Sequence, residues 1–197
     1  MSLAKSPSGG SLYSAGGQRK YLTPSERSRF IATASACPRA ELRTFCLLLA
    51  YTGCRISEAL AVTGNAVNIA ECIVAIRSLK KRKKVIVVRE LLIPRKFARL
   101  IERVHRLKDR QDNSRLWSWS RSRAWQLVKA IMREARIPPG IHATPKGLRH
   151  GFGLHAIQRG VPLNLVQRWL GHARLETTSI YLQAIGPEER KIASRMW

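Results

Sequence analysis

The sequence predicts an α+β fold, mostly helical, with a small antiparallel β-sheet or hairpin set between the helices. Three observations carry that expectation. Apolar residues recur at helical spacing over most of the chain, and two β-branched runs interrupt that spacing near the middle. The 197 residues are 45% hydrophobic, a content that supports one sizeable packed core.

The elements follow in order. Residues 1–20, MSLAKSPSGGSLYSAGGQRK, are rich in Ser and Gly with few apolar anchors and read as a flexible leader. Thr23 then opens a helix as its cap, with Pro24 at the first position and Glu26 completing a capping box. ELRTFCLLLAYTG (41–53) is a strongly apolar helix, expected at the centre of the core and closed by Gly53. CRISEALAV follows as a short helix. Between Asn65 and Pro94 the runs CIVAIRSL and VIVVRELLIP flank the basic tip KKRKK (80–84), the pattern of a hairpin. Helical spacing returns over 95–109 and 121–136, and Pro138-Pro139-Gly140 breaks the chain. Three helices come next: 145–159 capped by Thr144 and ended by Gly160, 162–170 ended by Gly171, and 175–184. Pro187 starts a last, amphipathic helix over 187–197. There is no internal repeat.

Charge narrows the partner. Lys and Arg number 36 against 12 Asp and Glu, a net charge of +24, with an isoelectric point near 11.4. Such a surface attracts polyanions, and nucleic acid leads that class. A ribosomal or nucleoid protein would show the same balance, so charge names a partner class and no activity. Cys37, Cys46, Cys54 and Cys72 form no CxxC pair and read as thiols in a reducing cytosol, with no metal site. No apolar run has membrane-spanning length and no secretory core opens the chain, so the expectation is a soluble, cytoplasmic protein.

The residues that could carry chemistry lie at helix junctions. In TPKGLRHGF (144–152), Lys146 and Arg149 sit at i and i+3 on one helical face. Two cations side by side repel unless an anion lies between them; the plainer reading is a solvated basic face. Arg55 starts the helix after Gly53, where its planar fork suits phosphate oxygens. It also reads as a surface arginine paired with Glu58 at i+3, and Glu58 could instead hold it in place. His150 points to another face, as a core or capping histidine would. His155 reads as packed or near the surface, and His105 and His142 as surface or loop residues. His172 follows the helix-ending Gly171. Nine residues on, Tyr181 lies among Ile180, Leu182 and Ile185, and taken alone it reads as a core residue with its hydroxyl at the rim.

Together these blocks change the reading. YTGCRISEAL, KGLRHGFGLHAIQRG and VQRWLGHARLETTSIYLQ resemble the three signature blocks of the tyrosine recombinase (phage integrase) family, in the family's order. The resemblance runs from Leu22 to about Ile185 and includes the spacing from Arg149 to His172 to Tyr181. It implies the family's catalytic-domain fold over 21–186 and a site-specific DNA recombinase. Such an enzyme cuts and rejoins strands through a covalent 3′-phosphotyrosine, with neither metal, cofactor nor ATP. By resemblance Tyr181 is the nucleophile, Arg55 and Arg149 hold the non-bridging oxygens, and His172 hydrogen-bonds the phosphate. Lys80 is the choice for the hairpin lysine that protonates the leaving 5′-oxygen, with Lys81, Lys83 and Lys84 at the same tip as alternatives; Lys81, Arg82, Lys83 and Lys84 are otherwise DNA-binding residues. Glu58 and His150 stand behind the catalytic set.

The chain departs from the family twice. Lys146 stands where the family usually has the histidine of its His-x-x-Arg motif, which puts the role of proton acceptor in question there. Only a short leader precedes the catalytic domain, as in the fimbrial-switch type of recombinase. The implied partners are double-stranded DNA, three further copies of the chain in a homotetramer on that DNA, and an accessory DNA-binding protein. The segment 187–197 is expected to dock on a neighbouring protomer, and the protein to be nucleoid-associated when bound. Two alternatives stay open: DNA relaxation of the type IB topoisomerase kind, and a non-catalytic or degenerate DNA-binding protein.

Overall fold

The structure, a computed structural model, describes residues 11–78, 87–109, 113–182 and 194. The basic tip with Lys80, Lys81, Arg82, Lys83 and Lys84 lies outside the described residues, as does 187–197 apart from Ser194.

Helix α1 (Pro24–Ala36) begins as its sequence dictates: Thr23 accepts from the Glu26 N–H, and Glu26 accepts from the Thr23 N–H at 2.9 Å. Helix α2 (Ala40–Thr52) is apolar on almost every face and is therefore buried on almost every face. Gly53 ends it at φ 60°, a left-handed cap at which a β-carbon would also lie 2.5 Å from the Phe152 ring. The short α3 (Ile56–Ala59) follows at once.

The hairpin forms from β2 (Ile73–Arg77) and β3 (Val88–Leu92), antiparallel, with Ile76 opposite Arg89 and Val74 opposite Leu91. A two-residue strand, β1 (Val67–Asn68), extends the sheet to the order β1-β2-β3. It is too short to leave a period in the sequence. Helices α4 (Arg95–His105), α5 (Arg121–Glu134), α6 (Pro145–Gln158), α7 (Leu163–Leu170) and α8 (Glu176–Ser179) complete the described chain. The expected α+β class, mostly helical with one small antiparallel sheet, is the observed one.

Apolar burial divides into two clusters. The larger surrounds α2 and joins Phe30, Phe45, Leu48, Ile76, Ile101, Trp117 and Ile131. The smaller packs Phe152, Leu154, Val166, Leu170, Ile180 and Tyr181, and Trp169 touches both. Helix α6 runs between them, carrying Leu148 in the first and Phe152 in the second. Its polar residues are thus held at the seam.

Two expectations are corrected. Residues 11–20 are not a free leader: Leu12 is 1% exposed within the smaller cluster, Tyr13 bridges to Arg19, and Arg19 grips Glu26 through both Nη atoms. One leucine and one arginine suffice, because each finds a buried partner the local composition does not reveal. His105 is buried in α4, and His142, in the loop before α6 as expected, is buried as well. His105 bonds Thr44 at 3.0 Å and stacks edgewise on Trp117, and His142 lies 3.8 Å from Glu26.

Candidate active site

Four elements deliver polar groups to the seam. Arg55 caps α3 at φ −74°, ψ 148°. Glu58, one turn on, accepts from the Arg55 backbone N–H at 3.0 Å and from its Nη1 at 2.8 Å. The side chain of Glu58 is 1% exposed and that of Arg55 37%. The pair read from the sequence therefore exists, with its carboxylate inside and its guanidinium partly open. Burial by itself raises the Glu58 pKa; hydrogen bonds and charge from Arg89, and then from Arg55, outweigh it and hold the group below its ordinary value.

Arg89 was absent from the sequence-based set. From β3 it sends Nη2 to Glu58 Oε2 at 2.8 Å and Nη1 to Oε1 at 3.4 Å. The signal lay in the strand parity: in VVRELL, Arg89 shares the inward face with Leu91, and a charge on that face demands a buried counter-ion.

Arg149 comes from the second turn of α6, which Thr144 caps and Pro145 starts. It is buried, donating from Nη1 to Gly53 O at 2.8 Å and from Nη2 to Leu170 O at 2.5 Å. Two helix ends with orphan carbonyls are thus closed by one guanidinium. Burial first, then the charge of Arg55, lowers its pKa to about 10, so it remains a cation at neutral pH. Lys146 is exposed on the first turn of the same helix.

His172 follows Gly171, whose φ of 65° turns the chain out of α7. The imidazole Nδ1 meets Thr178 Oγ1 at 2.9 Å, and the ring lies parallel to Tyr181, 19° apart in plane with centroids at 6.3 Å. Burial, followed by Arg149 and Arg55, drops its pKa to about 3. Tyr181 itself is fully enclosed. Its ring rests on Gly153, where a β-carbon would lie 2.6 Å from it, and its hydroxyl meets His150 Nδ1 at 3.1 Å. Burial pushes the phenol up to about 12 against the pull of Arg149 and Arg55. His150 falls to about 4 through burial, then Lys146, Arg149 and Lys20. It is neutral at pH 7, and the tautomer with Nδ1 unprotonated is the one that accepts the phenol's hydrogen.

The structure thus gathers Arg55, Glu58, Arg149, His150, His172 and Tyr181 in one place and adds Arg89, Thr178 and Gly153. Of the remaining candidates, Lys146 stands at its rim. No group of His, Cys, Asp or Glu with metal-ligand geometry occurs among the described residues. Among them, too, no helix is long and apolar enough to cross a membrane.

A mixed helical domain with a tyrosine enclosed by arginines and neutral histidines describes a narrow class of protein, and comparison with known chains defines it. Residues 20–185 match the sequence profile of the phage integrase family, and the chain belongs to that family. It is similar to tyrosine recombinase XerA of Pyrococcus horikoshii, at 31% identity over 82% of this chain and 56% of that protein. The solved structure of XerA recombinase superposes with a TM-score of 0.72 at 26% identity, covering 89% of this chain and 64% of that one. The catalytic domain of bacteriophage HP1 integrase shares the fold, with a TM-score of 0.65 at 19% identity over 89% of this chain and 93% of that domain. The chain spans a little over half the length of the XerA relative.

Proposed function

We propose that the chain is the catalytic domain of a site-specific DNA recombinase. One observation carries the reading: Arg55, Arg149 and His172 converge, from three separate elements, on a tyrosine that the family's order of motifs singles out. Tyr181 Oη attacks the scissile phosphorus and passes its proton to His150 Nδ1, 3.1 Å away; a bond forms to the 3′-phosphate, and the bond to the 5′-oxygen breaks. Charge building on the non-bridging oxygens is met by the guanidiniums of Arg55 and Arg149 and by His172. The two guanidiniums also oppose the burial that leaves the phenol's pKa at about 12. Lys80, outside the described residues, supplies the proton to the 5′-oxygen. The phosphotyrosine conserves the energy of the broken bond, so a second 5′-hydroxyl reverses the step without ATP.

The same reading sets double-stranded DNA as substrate and four copies of the chain on two duplexes, in the cytoplasm and on the nucleoid. The net charge of +24 supports the polyanionic substrate. The test is covalent trapping on a pool of nicked duplexes with a randomised core, resolved under denaturing conditions. The wild type forms a protein–DNA adduct and Tyr181→Phe forms none. An adduct surviving that substitution rejects the nucleophile, and no adduct from the wild type rejects the activity. Relaxed plasmid without strand exchange marks the topoisomerase alternative.

A further inference from the structure

Arg89 sits in the site and has no task in the reaction just described. It occupies an inward position of β3, opposite Ile76, where the strand otherwise buries aliphatic side chains. A buried ion pair is seldom worth more than the apolar residues that could replace it, so stability alone does not account for a guanidinium there. Its geometry does. Glu58 carries four donors on two oxygens: the Arg55 N–H and Arg89 Nη2 on Oε2, Arg55 Nη1 and Arg89 Nη1 on Oε1. The Nη1 side of the same guanidinium, with Cζ and Cδ, also lies against Gly171, where an added β-carbon would fall on Nη1. The next residue is His172.

We propose that Arg89 is a positioning residue of this site, pinning Glu58, and through it Arg55, together with the Gly171–His172 turn. It ties both to the strand that leads out of the basic tip. This inference rests on the strand-cleavage reading above. Arg89 is 98% buried in its side chain and touches no substrate; it acts through its neighbours. Arg55, Arg149 and the Cys54 thiol also face Glu58, which leaves Glu58 as the carboxylate that titrates there. Without Arg89 the larger part of the opposition to burial is lost, only the hydrogen bonds and charge of Arg55 remain, and the pKa of Glu58 rises.

The experiment compares the wild type, Arg89→Lys, Arg89→Met and Arg89→Met/Glu58→Gln for single-turnover adduct formation on the nicked pool, from pH 5.5 to 8.5. Affinity for uncleaved duplex is measured alongside in a Tyr181→Phe background. Affinity stays within about twofold, because Arg89 is buried, whereas cleavage by Arg89→Met falls about tenfold or more, as misplacement of a catalytic cation does. Its rate also gains a new acid limb, absent from the wild type and from the double variant, which has no carboxylate left to protonate. A purely structural role predicts a uniform loss with no such limb, and that outcome overturns the assignment, as does an unchanged rate. If Arg89→Met does not fold, Arg89→Lys and the double variant decide. Lysine keeps the charge but not the fork, so cleavage several-fold slower at unchanged affinity supports the role in both, and wild-type rates overturn it. A wild type that traps no DNA sinks the cleavage reading instead, and the role of Arg89 with it.

Discussion

Arg149 illustrates how much one side chain can do in this fold. Its two hydrogen bonds satisfy the last carbonyls of α2 and α7, at Gly53 and Leu170, while its charge depresses both His150 and His172. Arg149→Lys has one ammonium to serve two carbonyls set for a fork, so it should lose about 2 kcal/mol of stability. Adduct formation should fall with it, by about a hundredfold as for an oxyanion donor; chemical denaturation and the trapping assay check the two parts. Lys146 is a milder case. It is exposed at the rim, and Lys146→His restores the family's habit; equal adduct rates for the two would make the departure neutral. The histidines also set a pH dependence. His150 and His172 have folded pKa values near 4 and 3, below the ordinary 6.5. The unfolded chain therefore binds more protons below pH 6.5, and stability falls as pH drops from about 6.5 towards 4. Glu26 and Glu58, both held below their ordinary values, add loss in the same direction at lower pH. Thermal melting against pH reads this slope, and His172→Gln should flatten its upper part.

Elements position these residues by ending where they do. Helix α2 closes at Gly53, α7 at Gly171, and α8 sets Tyr181 on Gly153 of α6. Gly153→Ala thrusts a methyl group into the Tyr181 ring and should slow adduct formation while α6, for which alanine is a better helix former, persists. Circular dichroism and trapping together test it. Phe45, at the heart of α2, lies edge-on to Trp117 and Trp119 at 5.2 and 5.5 Å. Phe45→Ala should cost about 3–5 kcal/mol, read by urea unfolding. Most of these elements were legible. Thr23, Pro24 and Glu26 announce α1, the apolar run announces α2, and Gly171 announces the end of α7. The two-residue β1 was not legible, because two residues carry no period. Nor was the docking of 11–20, since Leu12 and Arg19 are anchored by Phe152's cluster and by Glu26, which lie elsewhere.

At the scale of the whole molecule, a charge of +24 makes duplex affinity a strong function of salt. The logarithm of the association constant should fall linearly with the logarithm of salt concentration, with a slope near −0.9 for each phosphate neutralised. Fluorescence anisotropy from low to physiological salt measures it, and a flat response would contradict the proposed polyanionic substrate. If residues 187–197 dock on a neighbouring protomer, deleting them should reduce DNA-dependent assembly, which sedimentation can follow; unchanged assembly and cleavage would remove that role. The sequence by itself determined the class of fold, the order of its elements, the basic character and the motif residues Arg55, Arg149, His172 and Tyr181, because caps, periods and motif spacing are local and survive as strings. Only the tertiary structure decided that Arg89 joins Arg55 on Glu58, that His150 meets the Tyr181 hydroxyl, and that Arg149 closes two helices. Each of those is a contact between a buried polar group and a partner far along the chain. A buried charge fixes that it must have a partner, and packing alone fixes which one.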